Sequence, residues 1–192
     1  MNTREAIAMR RSIRQFQDRP IADEDLQAIL MAGIQAPSGK NRQPWRFLVV
    51  QDEVQRAEMV RRMRAGIAKV QAQGERTGSA ENSARIMEQA PVTVFILNPH
   101  GLPPWLVHSI EQSFQELVDV QSIGAAIQNM LLAALDLGLG SLWICDVLFA
   151  YDELIEWLGE PGQLVAAISF GYPNESPAAR PRKAFDEVVR RV

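Results

Sequence analysis

The chain is poor in the residues that bind metals and form bridges. Its 192 residues include one cysteine, Cys145, and two histidines, His100 and His108. A single cysteine excludes an internal disulfide. The two histidines sit eight apart and there is no Cys-x-x-Cys or His-x-x-x-His pair, so no metal is expected. No apolar run approaches the roughly 18 residues of a membrane span, and the start Met1-Asn2-Thr3-Arg4-Glu5 has no apolar signal core. A cytoplasmic protein without a membrane partner is the expectation. The net charge of −3 lacks the strongly basic balance of nucleic-acid binders, so no nucleic acid is expected. The P-loop pattern and the Gly-x-Ser-x-Gly elbow are also missing. Lysine is scarce, three against 17 arginines, a bias that genome composition alone can produce.

Arginine is not scarce, and its placement is informative. Arg10-Arg11-Ser12-Ile13-Arg14-Gln15-Phe16 follows a short apolar helical start. In an extended segment Arg10, Ser12 and Arg14 share one face over roughly 13 Å, too long for one phosphate but suited to a phosphate with a polar chain attached. The arginine fork bonds two oxygens at once and keeps its charge. Residues 1–20 carry +3 and residues 176–192, with Arg180, Arg182 and Lys183, carry +3, which leaves −9 between them. Two basic ends on an acidic body could meet at one anion, or they could be separate solvated termini.

The 47% apolar and 22% charged content suits one domain over residues 1–192, burying roughly 70% of its unfolded surface. Helices are expected over 3–10, 23–36, 52–70 and 152–158, with a helical turn or two at 83–89. The helix over 119–137 carries a wide stripe of Val120, Ile123, Ile127, Met130, Leu131, Ala134 and Leu135. Its Gly124-Ala125-Ala126 patch would let another helix approach. Strands are expected over 47–50, 92–97, 141–145 and 164–170, and polar loops over 71–82 and 98–104. Leu137-Gly138-Leu139-Gly140-Ser141 lies after a helix and before a strand, so it reads as a helix cap and not as a dinucleotide fingerprint.

A second distinctive segment is Ala36-Pro37-Ser38-Gly39-Lys40-Asn41-Arg42-Gln43-Pro44-Trp45. Alone it is a generic loop whose free N–H groups could bond an anion or a heterocycle edge. Six segments then occur in order: the arginine motif, this loop, residues 119–129, Leu137-Gly138-Leu139-Gly140-Ser141-Leu142-Trp143-Ile144, Gly171-Tyr172-Pro173, and Arg180-Pro181-Arg182-Lys183. In this series the chain resembles the nitroreductase family of FMN-dependent oxidoreductases over nearly its whole length.

The resemblance implies an α+β fold in three layers, α/β/α. Its central sheet would be mixed but mostly antiparallel and flanked by helices, in an intertwined homodimer. It implies FMN as cofactor, in two sites at the subunit interface. Arg10, Arg11 and Ser12 would hold the phosphate and ribityl chain, with Arg14 toward the ring and Arg180 and Arg182 closing on the phosphate. Pro37, Ser38 and Asn41 would come from the other subunit, with either Gln121 or Ser122. Backbone groups from Leu142 and Trp143 to Asp146 would lie near the reactive nitrogen. Relatives carry glutamate or glycine where Cys145 and Asp146 fall. The resemblance implies no catalytic side chain and a ping-pong cycle: NADH or NADPH delivers a hydride, then a nitroaromatic, quinone or related acceptor takes its place. Oxygen or activated-alkene chemistry, or a flavin-binding store without turnover, are the alternatives. Residues 66–118, with Trp105 and His108, would shape the substrate pocket. Trp105 and the 71–79 loop could each cover the site or simply pack.

Overall fold

The computed structural model describes residues 1–192. In chain order the elements are α1 (Thr3–Met9), α2 (Asp23–Ile34), β1 (Arg46–Val50), α3 (Glu53–Ala72), α4 (Ala80–Gln89), β2 (Val92–Asn98), α5 (Ile110–Asp136), β3 (Gly140–Ile144), α6 (Tyr151–Leu158), β4 (Gln163–Gly171) and α7 (Phe185–Val188). Short 3₁₀ turns cover Gly39–Asn41 and Asp146–Ala150.

The four strands form one sheet in the order β1-β2-β4-β3. All three pairings are antiparallel. The one parallel contact is a single bridge between Ser12 and Ser141 at the β3 edge. β2 and β4 are mostly apolar because helices cover both faces; every β2 residue is buried, and the buried hydroxyls of Thr93 and Ser169 satisfy each other at 2.9 Å. Alternation along β2 sends Phe95 and Leu97 into a core with Met59, Met63 and Leu154. Val92, Val94 and Ile96 face a second core with Ile29, Ile123, Ile127 and Met130. The result is the expected three layers: α3, α4 and α6 on one face, α2 and α5 on the other.

α2 begins without a side-chain cap. Asp23, Glu24 and Asp25 instead place negative charge at the positive end of its dipole. It crosses α5 at Gly33, where a Cβ would come within 2.9 Å of Met130 Cγ. Asn129 Nδ2 donates to the Ala32 carbonyl at 3.1 Å beside this crossing. Within the chain the close helix approach is at Gly33, while Gly124 and Ala125 stay partly exposed. Ala126 is fully buried in the chain's own core, and a Cβ on Gly124 would meet only the Trp143 ring edge at 3.8 Å.

Two helices start earlier than their apolar stripes. α5 begins at Ile110 and not at residue 119, on a capping box in which the Ser109 side chain accepts from Gln112 N and Gln112 accepts from Ser109 N. α4 begins at Ala80, inside the expected loop. α5 is long and apolar enough to cross a membrane by length and composition alone. Its stripe is the one that the sheet covers.

Candidate functional site

Residues 10–17 leave α1 as an extended segment laid on the sheet edge. Ile13 N donates to the Ser141 carbonyl at 3.0 Å and Gln17 N to the Tyr172 carbonyl at 2.9 Å. Ile13 and Phe16 are buried, and Ile13 sits over Gly140, where a Cβ would lie 2.8 Å from Ile13 Cγ1. Anchoring these two leaves Arg10, Arg11, Ser12 and Arg14 lining a cavity of about 350 Å³. Its other wall is Pro177, Ala178, Ala179, Arg180 and Arg182. The two basic ends therefore meet.

No member of this arginine group forms an ion pair with a carboxylate. Arg11 is partly spent on structure: one terminal nitrogen donates to the Ala8 and Arg10 carbonyls at 2.7 and 2.9 Å, closing the end of α1. Arg14 donates to the Ser12 carbonyl at 3.1 Å, and its backbone N–H donates to the Glu175 carboxylate. Arg182 donates to the Arg180 and Pro181 carbonyls at 3.3 Å. Partial burial, then Arg182, then Arg11 hold the Arg10 pKa below its ordinary value. Crowded, partly desolvated and unpaired guanidinium groups are what a bound anion relieves.

The Pro37–Asn41 loop forms a second group, and the arginine-lined cavity contains none of it. Lys40, Asn41 and Gln43 all have φ near +50°. Such backbone costs on the order of 1–3 kcal/mol per residue and persists only where its surroundings hold it. Here Ser38 Oγ accepts from Gln43 N at 3.0 Å. Arg42 makes two 3.3 Å contacts to Asp119, a carboxylate that is 1% exposed and also accepts from Gln115 at 3.0 Å. Ser122 Oγ accepts from Gly39 N at 3.2 Å and donates to the Val118 carbonyl at 2.8 Å. Ser122 is thus a buried brace for the loop, whereas neighbouring Gln121 is exposed. The braces Arg42, Asp119 and Glu175 were not among the expected site residues. The Asp119-Val120-Gln121-Ser122 segment carried the signal for one of them.

β3 leaves the basic cavity at Ser141. Leu142 points into the α3/α6 core, so only its backbone is available to a ligand there, while Trp143 lies on the α5 face and is 38% exposed. Burial first, then Asp146, push the Cys145 thiol above its ordinary pKa, the opposite of what a nucleophile needs.

The covering segments are tied down. Trp105 packs edge-on against Tyr151 with ring centroids 4.5 Å apart. His108 Nδ1 lies 2.8 Å from Glu116, with both side chains largely covered. Glu116 also accepts from Leu102 N at 2.9 Å. In the 71–79 segment Thr77 is buried and its hydroxyl accepts from Gln71 at 2.8 Å.

A model described as the nitroreductase family matches residues 7–172. The chain belongs to that family. Among nitroreductase relatives, an Archaeoglobus fulgidus protein provisionally named NADH dehydrogenase/NAD(P)H nitroreductase is 33% identical over 180 residues, spanning 88% of this chain and 84% of its own. A provisionally named nitroreductase of Desulfovibrio desulfuricans, crystallised with FMN, superposes with a TM-score of 0.76 at 29% identity, over 100% of this chain and 98% of that one. The NADPH:FMN oxidoreductase of Vibrio harveyi, crystallised with NAD+, superposes with a TM-score of 0.77 at 26% identity, over 100% of this chain and 77% of that one.

Proposed function

We propose that this nitroreductase-family protein carries reducing equivalents from NADH or NADPH, through FMN, to a nitroaromatic, quinone or related small acceptor, in two half-reactions that share one site. It is an NAD(P)H-dependent FMN oxidoreductase by family and relatives. The observation that carries the reading is the cavity in which Arg10, Arg11, Ser12 and Arg14 face Arg180 and Arg182 without a carboxylate partner. Those groups fit the phosphate of FMN: charge-assisted bonds to phosphate are the strong ones, and no carboxylate is ion-paired with these arginine side chains.

When bound, FMN supplies the hydride and electron chemistry. The chain's own residues bind and orient it. Arg10, Ser12, Arg180 and Arg182 hold the phosphate and its chain, with Arg11 fixing the helix end beside them. Arg14 would lie toward the ring, where its charge would favour added electron density. The backbone of Leu142 and Trp143 lines the path along β3. The second group completes the site from another copy: Pro37, Ser38 and Asn41, with Gln121 available and Ser122 holding the loop. A homodimer is supported by an unpartnered stripe of Ile110, Phe114 and Leu117 at helical spacing on α5, each more than half exposed. The free thiol of Cys145 and the need for reduced nicotinamide fit a cytoplasmic setting.

The test is optical. Purified protein is expected to be yellow, to lose that colour on adding NADH or NADPH anaerobically, and to regain it on adding a nitroaromatic or quinone. Yellow protein that no nicotinamide bleaches would point to a flavin store. Colourless protein that takes up no FMN would end the reading altogether.

A further inference from the structure

Asp146 follows β3 by two residues and opens the 3₁₀ turn Asp146–Ala150. One of its oxygens, Oδ2, accepts from two hydroxyls, Ser79 at 2.7 Å and Ser83 at 2.6 Å. Ser79 immediately precedes α4 and Ser83 lies in its first turn. The carboxylate therefore ties the start of α4 to the exit of β3, with its charge at the positive end of the α4 dipole. The turn is held from the far side as well: Val147 and Ala150 are fully buried, and Gly66 of α3 packs so closely that a Cβ there would lie 2.4 Å from Ala150 Cα.

β3 gives the arrangement a direction. Ser141 bridges to Ser12 at the basic cavity. Three residues later, roughly 10 Å at strand rise, β3 ends at Ile144, and Asp146 opens the turn just beyond. A mononucleotide with its phosphate among the arginines and its length along β3 would bring its ring toward the β3 exit at residues 144–146. Given the FMN reading above, on which this rests, we propose that Asp146 is a positioning residue. Through Ser79 and Ser83 it fixes the 144–146 backbone against the flavin ring and so sets the efficiency of hydride delivery. It acts through hydrogen bonds and not as a proton donor. The Ser79–Ser83 contact also makes the preceding loop part of the site's support.

The experiment compares Asp146→Ala with Asp146→Asn in the full-length, FMN-loaded protein. The asparagine oxygen still accepts from both serines. Asp146→Ala is expected to slow single-turnover flavin reduction by NADH about tenfold, as loss of alignment does. It should also perturb the visible flavin spectrum and speed hydrogen exchange of the 144–148 amides, with FMN affinity unchanged because the arginines set it. Asp146→Asn is expected to stay near wild type on all four measures. A Ser79→Ala/Ser83→Ala double variant keeps the carboxylate and is expected to match Asp146→Ala, which covers the case in which the alanine variant folds poorly. Wild-type behaviour of the alanine and double-serine variants would overturn the proposal, and so would equal loss in the alanine and asparagine variants, which would assign the effect to charge. Wild-type protein that binds no FMN would overturn the functional reading and this role with it.

Discussion

Arg10 and Arg182, from opposite ends of the chain, line one cavity that holds no carboxylate, and the Arg182 charge helps hold the Arg10 pKa below its ordinary value. The pair is electrostatically unfavourable by itself. It becomes favourable when an anion sits between the two.

Replacing Arg10 or Arg182 with alanine should weaken FMN binding by roughly 1.5–3 kcal/mol each, the range for a hydrogen bond to a charged group, or about 10- to 150-fold in Kd. Fluorescence titration of apoprotein with FMN measures this. Unchanged affinity in both variants would refute the phosphate assignment. Without FMN, each variant should be no less stable than wild type, because a like-charge contact has been removed.

Gly140→Ala tests whether the arginine motif is held by its packing. The new methyl would meet Ile13 at 2.8–3.0 Å, and a β-branched side chain has little freedom to move aside. The expected cost is about 1–3 kcal/mol of stability, as for overpacked cores. FMN affinity should fall as well, because Ser12 and Arg14 flank the displaced residue. Denaturant melts together with FMN titration separate the two effects.

Arg42→Ala leaves the buried Asp119 carboxylate with Gln115 alone. Breaking a buried pair on one side costs about 3–5 kcal/mol, and the partly exposed Arg42 places this case at about 2–3 kcal/mol. Urea denaturation should report that loss. Asp119→Asn, which leaves no unpaired buried charge, should cost less. A larger loss for Asp119→Asn would contradict this account of the loop brace.

Glu58 carries a pH signature on the surface of α3. Hydrogen bonds from Arg61 at 2.6 Å and Arg62 at 2.7 Å lower its pKa from 4.5 to about 2. A depressed carboxylate pKa adds stability that is complete above 4.5 and is lost as pH falls toward 2. Glu58→Gln should flatten that part of the stability profile and leave stability differences above it constant. Thermal melts of both proteins across the acid range would show it, and parallel profiles would contradict it.

Local pattern carried much of this protein. The short, mostly apolar runs at 92–97 and 164–170, bounded by proline and glycine, marked strands. The stripe from Ile123 to Leu135 could only be a core helix. Gly138 and Gly140 ended the long helix, and the apolar residues after Ser141 marked β3. The early starts of α4 and α5 were harder, because the first turns of α5 expose Ile110, Phe114 and Leu117 and show no inward stripe. The Ser109-x-x-Gln112 capping box was the signal to follow there.

The site divides in the same way. The sequence by itself determined the chemistry: arginines at alternating positions, a small-residue loop, a strand beginning at glycine, and the absence of metal and nucleotide motifs. Each of these is a property of adjacent residues, readable from spacing and side-chain type. The tertiary structure alone decided the sheet order, the meeting of Arg10 with Arg182, the use of Ser122 as a brace beside an exposed Gln121, and the hold of Ser79 and Ser83 on Asp146. Those are contacts between residues far apart in the chain. They form only when burial of the two cores repays the entropy of bringing distant segments together, and no short window of sequence records that balance.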